Sequence, residues 1–246
     1  MRRLTEKEIV TISNRYYSNF VGTDLMDITD GIHFVCSESR GEELCGFGCK
    51  YEIYVLVKED VCVISYAPQY ADFFEKLKGS TINKILETLV TTFRVKKMQL
   101  MVFKRECVME YGDARILRKS DYPLYETFFC RTSPTADPTG WLQKYFEEKA
   151  EKEYFVGYFA EDVLVCVSDA PDMPYMNNII QHTGINTLEG ERRKGYARCT
   201  AALAVHHLIE NGICPQWECR VENSASIALA ESIGYKKYGV AYILEA

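Results

Sequence analysis

Apolar and polar positions recur along this chain with two different periods, and the switches between them mark its elements. Residues 5–20 carry apolar side chains at helical spacing, which predicts a helix. Residues 51–65 (YEIYVLVKEDVCVIS) form two β-rich runs joined at Lys58, Glu59 and Asp60, the signature of a hairpin. Residues 70–92 return to helical spacing with a break near Gly79 and Ser80, and residues 96–103 (KKMQLMVF) alternate as a strand. A second hairpin is expected over residues 154–168, where YFVGYF and VLVCVS flank Ala160, Glu161 and Asp162. Before it, TSPTADPTG (132–140) reads as a loop leading into a helix from Trp141 to Lys149.

The two hairpins are alike. Each starts on Tyr, turns on Glu-Asp, continues in a Val and Cys strand and leaves through Ala-Pro, at Ala67 and Pro68 and again at Ala170 and Pro171. Either the chain contains two related halves or exposed hairpins have converged on one turn chemistry. A boundary near residue 113 is expected in either case, with a smaller α/β unit over 1–113 and a larger one over 114–246. Lys76, Lys78, Gly79 and Ser80 read as a solvated turn.

Residues 182–212 (HTGINTLEGERRKGYARCTAALAVHHLIENG) read as a short strand, a tight loop and a long helix. Ala201, Ala204, Val205 and Leu208 form the apolar stripe of that helix, and Gly212 with Pro215 stops it. Its entrance is Arg192, Arg193, Lys194, Gly195 and Tyr196. The unpaired N–H groups of a first turn, the positive end of the helix dipole, three cations and a glycine without Cβ together favour a phosphate. A strand, PQWECR (215–220), follows, and then a short helix over 224–233 that Asn223 can cap, with Ser226, Leu229, Ala230 and Ile233 on one face.

Composition narrows the reading. The 246 residues are 47% hydrophobic and 26% charged, an ordinary globular balance with room for one large domain or two small ones. A formal charge of -6 argues against nucleic acid and acidic membrane surfaces as partners. The ten cysteines include no C-x-x-C pair, and the closest two, Cys45 and Cys49, lack a second pair spaced for zinc, so reduced thiols and no metal are expected. His206 and His207 lie mid-helix without a partner at i+4 and read as surface residues. The charged N-terminus MRRLTEKEIV and the lack of a long apolar stretch suggest a cytoplasmic protein with no membrane attachment.

Two ordered motifs resemble the GNAT superfamily of acyl-CoA-dependent N-acyltransferases. Its R/Q-x-x-G-x-G/A loop is matched by Arg192, Gly195 and Ala197. Its N-x-x-[AS]-x-x-[LF]-x-x-x-x-G-[FY] pattern is matched by Asn223, Ser226, Leu229, Gly234 and Tyr235. The likeness covers roughly residues 114–246, with Tyr238–Leu244 as a last strand, and the first 113 residues resemble only a small bacterial two-part subgroup. It implies an α/β (α+β) fold, a mixed central sheet flanked by helices, preceded by a smaller α/β unit; if the two halves are related, that unit is a degenerate GNAT-like half that shapes or covers the acceptor cleft, and otherwise its role is structural. It also implies acetyl-CoA held by the loop amides at Arg192, Arg193, Lys194, Gly195, Tyr196 and Ala197. Asn223 and Ser226 would face the cofactor, and the backbone of Ile185, Asn186 and Thr187 would pair with pantetheine.

The implied reaction is direct attack by a primary amine of a small molecule, a peptide or a protein N-terminus on the thioester. It needs an oxyanion donor, which the family takes from a backbone N–H here between Ile185 and Leu188, and a base, for which Glu218 and His182 are the candidates. The family's Tyr acid falls on Ala230, a departure that leaves Tyr196, Tyr235 and Tyr238 as substitutes, or an unassisted thiolate. A binding module that holds acyl-CoA without turnover, as a sensor or interaction scaffold, is the alternative.

Overall fold

Local chemistry sets the ends of the first helix. Thr5 accepts a hydrogen bond from the Glu8 N–H while the Glu8 carboxylate accepts from the Thr5 N–H at 2.9 Å, a capping box that opens α1 (Glu6–Val21). Gly22, left-handed at φ 71°, closes it. Ile9, Tyr16, Tyr17 and Phe20 on its buried face lie in the largest core cluster. The structure is a computed structural model, described over residues 2–44, 47–104 and 110–246.

After α1 the chain runs through β1 (Gly31–Cys36), β2 (Tyr51–Lys58), β3 (Val61–Tyr66), α2 (Ala71–Glu75), α3 (Ile82–Thr92), β4 (Lys96–Phe103) and β5 (Ala114–Ile116). It continues with α4 (Tyr122–Thr132), α5 (Leu142–Glu151), β6 (Val156–Ala160), β7 (Val163–Asp169), β8 (Ile180–His182) and β9 (Gly184–Thr187). The last elements are α6 (Tyr196–Glu210), β10 (Cys214–Arg220), α7 (Ser224–Ser232) and β11 (Tyr235–Glu245). Both expected hairpins are present, as β2–β3 and β6–β7. The expected last strand begins three residues early, because Tyr235 and Lys236 already pair with β4 ahead of an irregularity between Lys237 and Gly239.

The strands form two sheets, one of seven in the order β1-β3-β2-β11-β4-β10-β8 and one of four in the order β5-β6-β7-β9. Helices α2 and α3 supply one apolar cluster with β2 and β3, and α4 and α5 supply another with β6 and β7. The mixed α/β architecture therefore agrees with the expectation. The division at residue 113, however, cuts across a sheet: β4 comes from the segment before it and lies antiparallel between β10 and β11 from the segment after it.

That placement makes a fragment of residues 114–246 a poor folding unit. It would lack Leu100, Met101, Val102 and Phe103, each no more than 2% exposed. At about 1.5–3 kcal/mol for each buried side chain the loss is roughly 6–12 kcal/mol, similar to the ~5–15 kcal/mol that keeps a whole domain folded. The fragment is expected to show no cooperative thermal transition by circular dichroism, whereas the full chain melts sharply.

Eight of the ten cysteines are described, all as free thiols. Cys45, half of the Cys45 and Cys49 pair, lies outside the described residues, as does Cys107. Among the described residues no helix is long and apolar enough to cross a membrane.

Candidate active site

The strand leading to the Arg192–Ala197 loop changes partners halfway. As β8 it pairs in parallel with β10, His182 opposite Gln216, and the Thr183 N–H still donates to the Gln216 carbonyl at 3.2 Å. From Gly184 onward, as β9, it pairs instead with β7 in the other sheet. A glycine is required at this divergence, because a Cβ on residue 184 would stand 2.1 Å from Asp169 Oδ1. Beyond Gln216, β10 therefore parts from β9, and a groove opens between them.

The groove, of about 580 Å³, is lined by Ile185, Asn186, Thr187, the 191–198 loop and helix start, and Asn223, Ala225, Ser226 and Leu229 from the head of α7. Leu188 N–H donates to the Val165 carbonyl at 3.0 Å. Alternation along an antiparallel pair then turns the backbone groups of Ile185 and Thr187 away from β7, toward the groove. β9 is the edge of its sheet, so this row of groups has no strand partner. Of the backbone N–H groups between Ile185 and Leu188, those of Ile185 and Thr187 thus face the groove, while that of Leu188 is spent on β7, and Ile185 is the nearer of the two to the divergence.

At the far end of the groove Arg193 and Gly195 are both left-handed, at φ 64° and 88°. Among the described residues, the backbone N–H groups of Arg193, Lys194, Gly195, Tyr196 and Ala197 have no backbone acceptor, and no side chain caps α6. Consecutive unpaired amides in such a turn form an anion-binding concavity, strengthened here by the helix dipole. A Cβ on Gly195 would meet no atom within 4 Å, so packing does not demand the glycine. The positive φ favours it, and its missing side chain leaves room in the groove. Arg192 Nε reaches the Thr187 carbonyl at 3.4 Å, and Lys194 pairs with Glu191 at 2.9 Å, while Arg193 is exposed.

Asn223 and Ser226 both lie in the groove and both also carry structural bonds. Asn223 Oδ1 accepts from the Ser226 N–H at 3.1 Å and caps α7, and Ser226 Oγ accepts from buried Trp217 Nε1 at 3.1 Å. Of the three substitute tyrosines, Tyr196 alone lines the groove, its ring stacked on Tyr158 with centroids 4.4 Å apart. Tyr235 is fully buried in the core, and Tyr238 stacks on Tyr17 and donates to Asn14 Oδ1 at 2.8 Å. Ala230 is fully buried.

On the α1 side of the same divergence lies a second, smaller cavity of about 190 Å³. The structure brings Glu218 and His182 together there, with Gln216 between them in register and rings from α1 and β2 around them. The parity of β10 decides that Glu218 faces this pocket while Trp217 and Cys219 are buried on the other face. Gln216 Nε2 donates to Glu218 Oε2 at 3.0 Å and to the Tyr17 hydroxyl at 3.1 Å. Glu218 has no ion-pair partner among the described residues. Burial raises its pKa, the hydrogen bond from Gln216 opposing. Burial pulls His182 down to about 4, opposed by its hydrogen bond to the Glu218 carbonyl, so its imidazole is neutral at pH 7. Tyr16, Tyr17 and Tyr54 are raised by burial and then by the Glu218 charge, and Tyr51 is raised to about 12 by the same causes.

Asp169 is the residue that sequence reasoning missed. A charged residue ending an alternating strand looks solvated, yet burial pushes it up to about 6, against its own backbone N–H and Lys149. Because its folded pKa lies above the unfolded value, folding is favoured at low pH and that advantage fades as pH rises toward and through 6. Asp169→Asn is therefore expected to be more stable than wild type by about 2–3 kcal/mol at pH 8 and equal to it below pH ~4, measured by denaturant unfolding. The two mid-helix histidines are half-buried rather than at the surface. His206 Nδ1 lies 2.6 Å from the Tyr111 hydroxyl, and His207 Nε2 lies 3.2 Å from Glu153.

Comparison with known proteins bears on the same segment. The family model described as GNAT acetyltransferase matches residues 34–242. A relative, the uncharacterized N-acetyltransferase YdfB of Bacillus subtilis (strain 168), is 46% identical over 52 residues, which span 21% of this chain and 20% of that protein. An acetyltransferase of the GNAT family from Colwellia psychrerythraea superposes with a TM-score of 0.51 at 15% identity, over 60% of this chain and 55% of that one. A GCN5-related N-acetyltransferase from Sphaerobacter thermophilus does so at 0.50 and 12% identity, over 68% and 57%. At such identities these two structures speak for the fold alone.

Proposed function

Because the chain belongs to the GNAT acetyltransferase family, we propose that it transfers an acetyl group from acetyl-CoA to a primary amine by direct attack on the thioester. The observation that carries the proposal is the run of five unpaired N–H groups, Arg193 to Ala197, at one end of a groove whose wall is the unpaired edge of β9. A pyrophosphate fits the first and an extended chain of amides fits the second. Asn186, Asn223 and Ser226 line the space between. Acetyl-CoA supplies an activated carbonyl and a thiolate that leaves readily near neutral pH.

The chain's residues do the rest. Ile185 N–H, beside the divergence, donates to the developing oxyanion. The acceptor enters from the pocket, where Glu218 takes the ammonium proton directly or through a water and releases the neutral amine for attack. The amine nitrogen then bonds to the carbonyl carbon, the C–S bond breaks with its electron pair leaving on sulfur, and the second proton of the nitrogen passes to that thiolate or to water. Glu218 is the better base of the two candidates: burial raises the proton affinity of its carboxylate, whereas an imidazole pulled down to about 4 accepts a proton poorly. His182 instead holds the Glu218 backbone in place through its carbonyl.

A second reading, a sensor or interaction module that holds acyl-CoA without turnover, is favoured by Ala230, since no acid stands where the family keeps its Tyr. Calorimetric titration with acetyl-CoA, followed by thiol release across a panel of amines, separates the two. Binding with thiol release supports the enzyme, and binding without release for any amine leaves the sensor. Absence of binding removes both.

A further inference from the structure

The pocket on the α1 side has a consistent chemical character. Its walls are the rings of Tyr16, Phe20, Tyr51 and Tyr54, with Phe20 stacked on Tyr54 at 5.0 Å and on Tyr51 at 6.1 Å between centroids. Such interlocked rings are preorganised, and they offer apolar surface and negative ring faces together. Two carboxylates, Glu218 and Asp172, are among the lining residues, and no lysine or arginine among the described residues is. Asp172 is already paired with Lys149 at 2.7 Å. Glu218 is therefore a half-buried acid whose counter-charge the described residues do not provide, and such groups are costly to leave unpaired.

The hydrogen-bonding capacity left over points the same way. The His182 Nε2 partner is a carbonyl, which only accepts, so the proton sits on Nε2 and Nδ1 keeps its lone pair. Gln216 spends its amide donors on Tyr17 and Glu218. Among the described residues, His182 Nδ1 and Gln216 Oε1 have no hydrogen-bond partner, and neither presents surface to water, so neither competes with Glu218 for a bound donor. The one charged group on the floor without a described counter-ion is the Glu218 carboxylate, an acceptor, and an ammonium group is a triple donor that accepts nothing.

We infer that this pocket takes a small primary amine, presented as its ammonium, whose body is apolar and carries no carboxylate. The inference rests on the acetyl-transfer reading for its catalytic meaning, and on the pocket alone for its specificity. A second negative charge would lie within a few ångströms of Glu218 at low dielectric, a repulsion worth at least ~100-fold in selectivity. A cavity of about 190 Å³ also falls below the ~300 Å³ where drug-sized sites begin, so the body is no larger than one aromatic ring or a branched alkyl chain. A polyhydroxylated amine would bury more hydroxyls than those of Tyr16, Tyr51 and Tyr54 can pair.

The test uses the full chain with saturating acetyl-CoA and three amines: 2-phenylethylamine, L-phenylalanine and glucosamine. For 2-phenylethylamine, kcat/KM is expected to exceed the value for phenylalanine by at least ~100-fold and that for glucosamine by at least ~10-fold. Equal or better use of either competitor overturns the inference. The same amines are titrated calorimetrically with and without CoA. Selective binding of 2-phenylethylamine alongside failure to bind CoA would overturn only the acetyl-transfer reading, and no binding of 2-phenylethylamine in the millimolar range would overturn the pocket assignment. Tyr51→Arg, its fold checked by retained acetyl-CoA binding, is expected to cut the preference over phenylalanine at least ~10-fold. An unchanged preference there places the amine elsewhere and also overturns the inference.

Discussion

Gly195→Glu is expected to abolish the proposed acetyl-CoA binding while leaving the chain folded. Two terms combine. A non-glycine residue at φ 88° is strained by about 1 kcal/mol, which loosens the loop that presents the Arg193–Ala197 amides. The added carboxylate also stands at the helix entrance where a phosphate would lie, and like charges ~5 Å apart at an effective dielectric near 20 repel by about 3 kcal/mol. Together these weaken binding by roughly 100- to 1,000-fold. Folding suffers only the first, because a Cβ on residue 195 meets no atom within 4 Å. Calorimetry should find the titration flat, and denaturant unfolding should find a loss near 1 kcal/mol. Gly195→Ala, with the strain but not the charge, should bind several-fold more weakly than wild type. Wild-type affinity in the glutamate variant would move the phosphate site away from this loop and take the proposed function with it.

The groove was legible because its parts are close in sequence. A strand, a cationic loop, a glycine and a helix fall within residues 182–212, and the capping asparagine with its serine follows a few residues later. Each leaves a local signal: apolar periodicity, a glycine before a helix, an Asx cap. The pocket was not legible, because α1, β2, β8 and β10 meet only through the sheet, and sheet partners far apart in sequence leave no mark on either strand. The insertion of β4 between β10 and β11 is the same kind of fact, and it is why a boundary drawn from composition at residue 113 divides a sheet. Parity left the face of Glu218 undecided: along QWECR one alternate set faces the pocket and the other is buried, and only packing by α1 says which. Asp169 was hidden by the opposite assumption, that a carboxylate at a strand end is solvated.

Glu218→Gln separates a catalytic carboxylate from a structural one, because its effects on rate and on stability have opposite signs. The amide keeps the shape and still accepts from Gln216, but it cannot take a proton, so kcat/KM should fall about 10²- to 10⁴-fold with acetyl-CoA affinity unchanged. In wild type the rate should rise with pH through the raised pKa of Glu218, since only the carboxylate is a base, and this limb should vanish in the variant. The surrounding groups do not imitate it: His182 titrates near 4, and the hydroxyls of Tyr16, Tyr17, Tyr51 and Tyr54 are all raised above 10. Stability runs the other way. A carboxyl whose folded pKa exceeds its unfolded value favours folding below the unfolded pKa, near 4.5, and loses that contribution as pH rises through the folded one. Glutamine escapes the cost of ionisation, so the variant should be more stable than wild type on the alkaline side and equal to it at pH ~4. A residue kept for the fold would lose stability on replacement, and one kept for neither purpose would leave the rate alone. Loss of rate with gain of stability is the signature of a buried carboxylate retained for its chemistry, and denaturant unfolding at two pH values beside a pH–rate profile reads both halves of it.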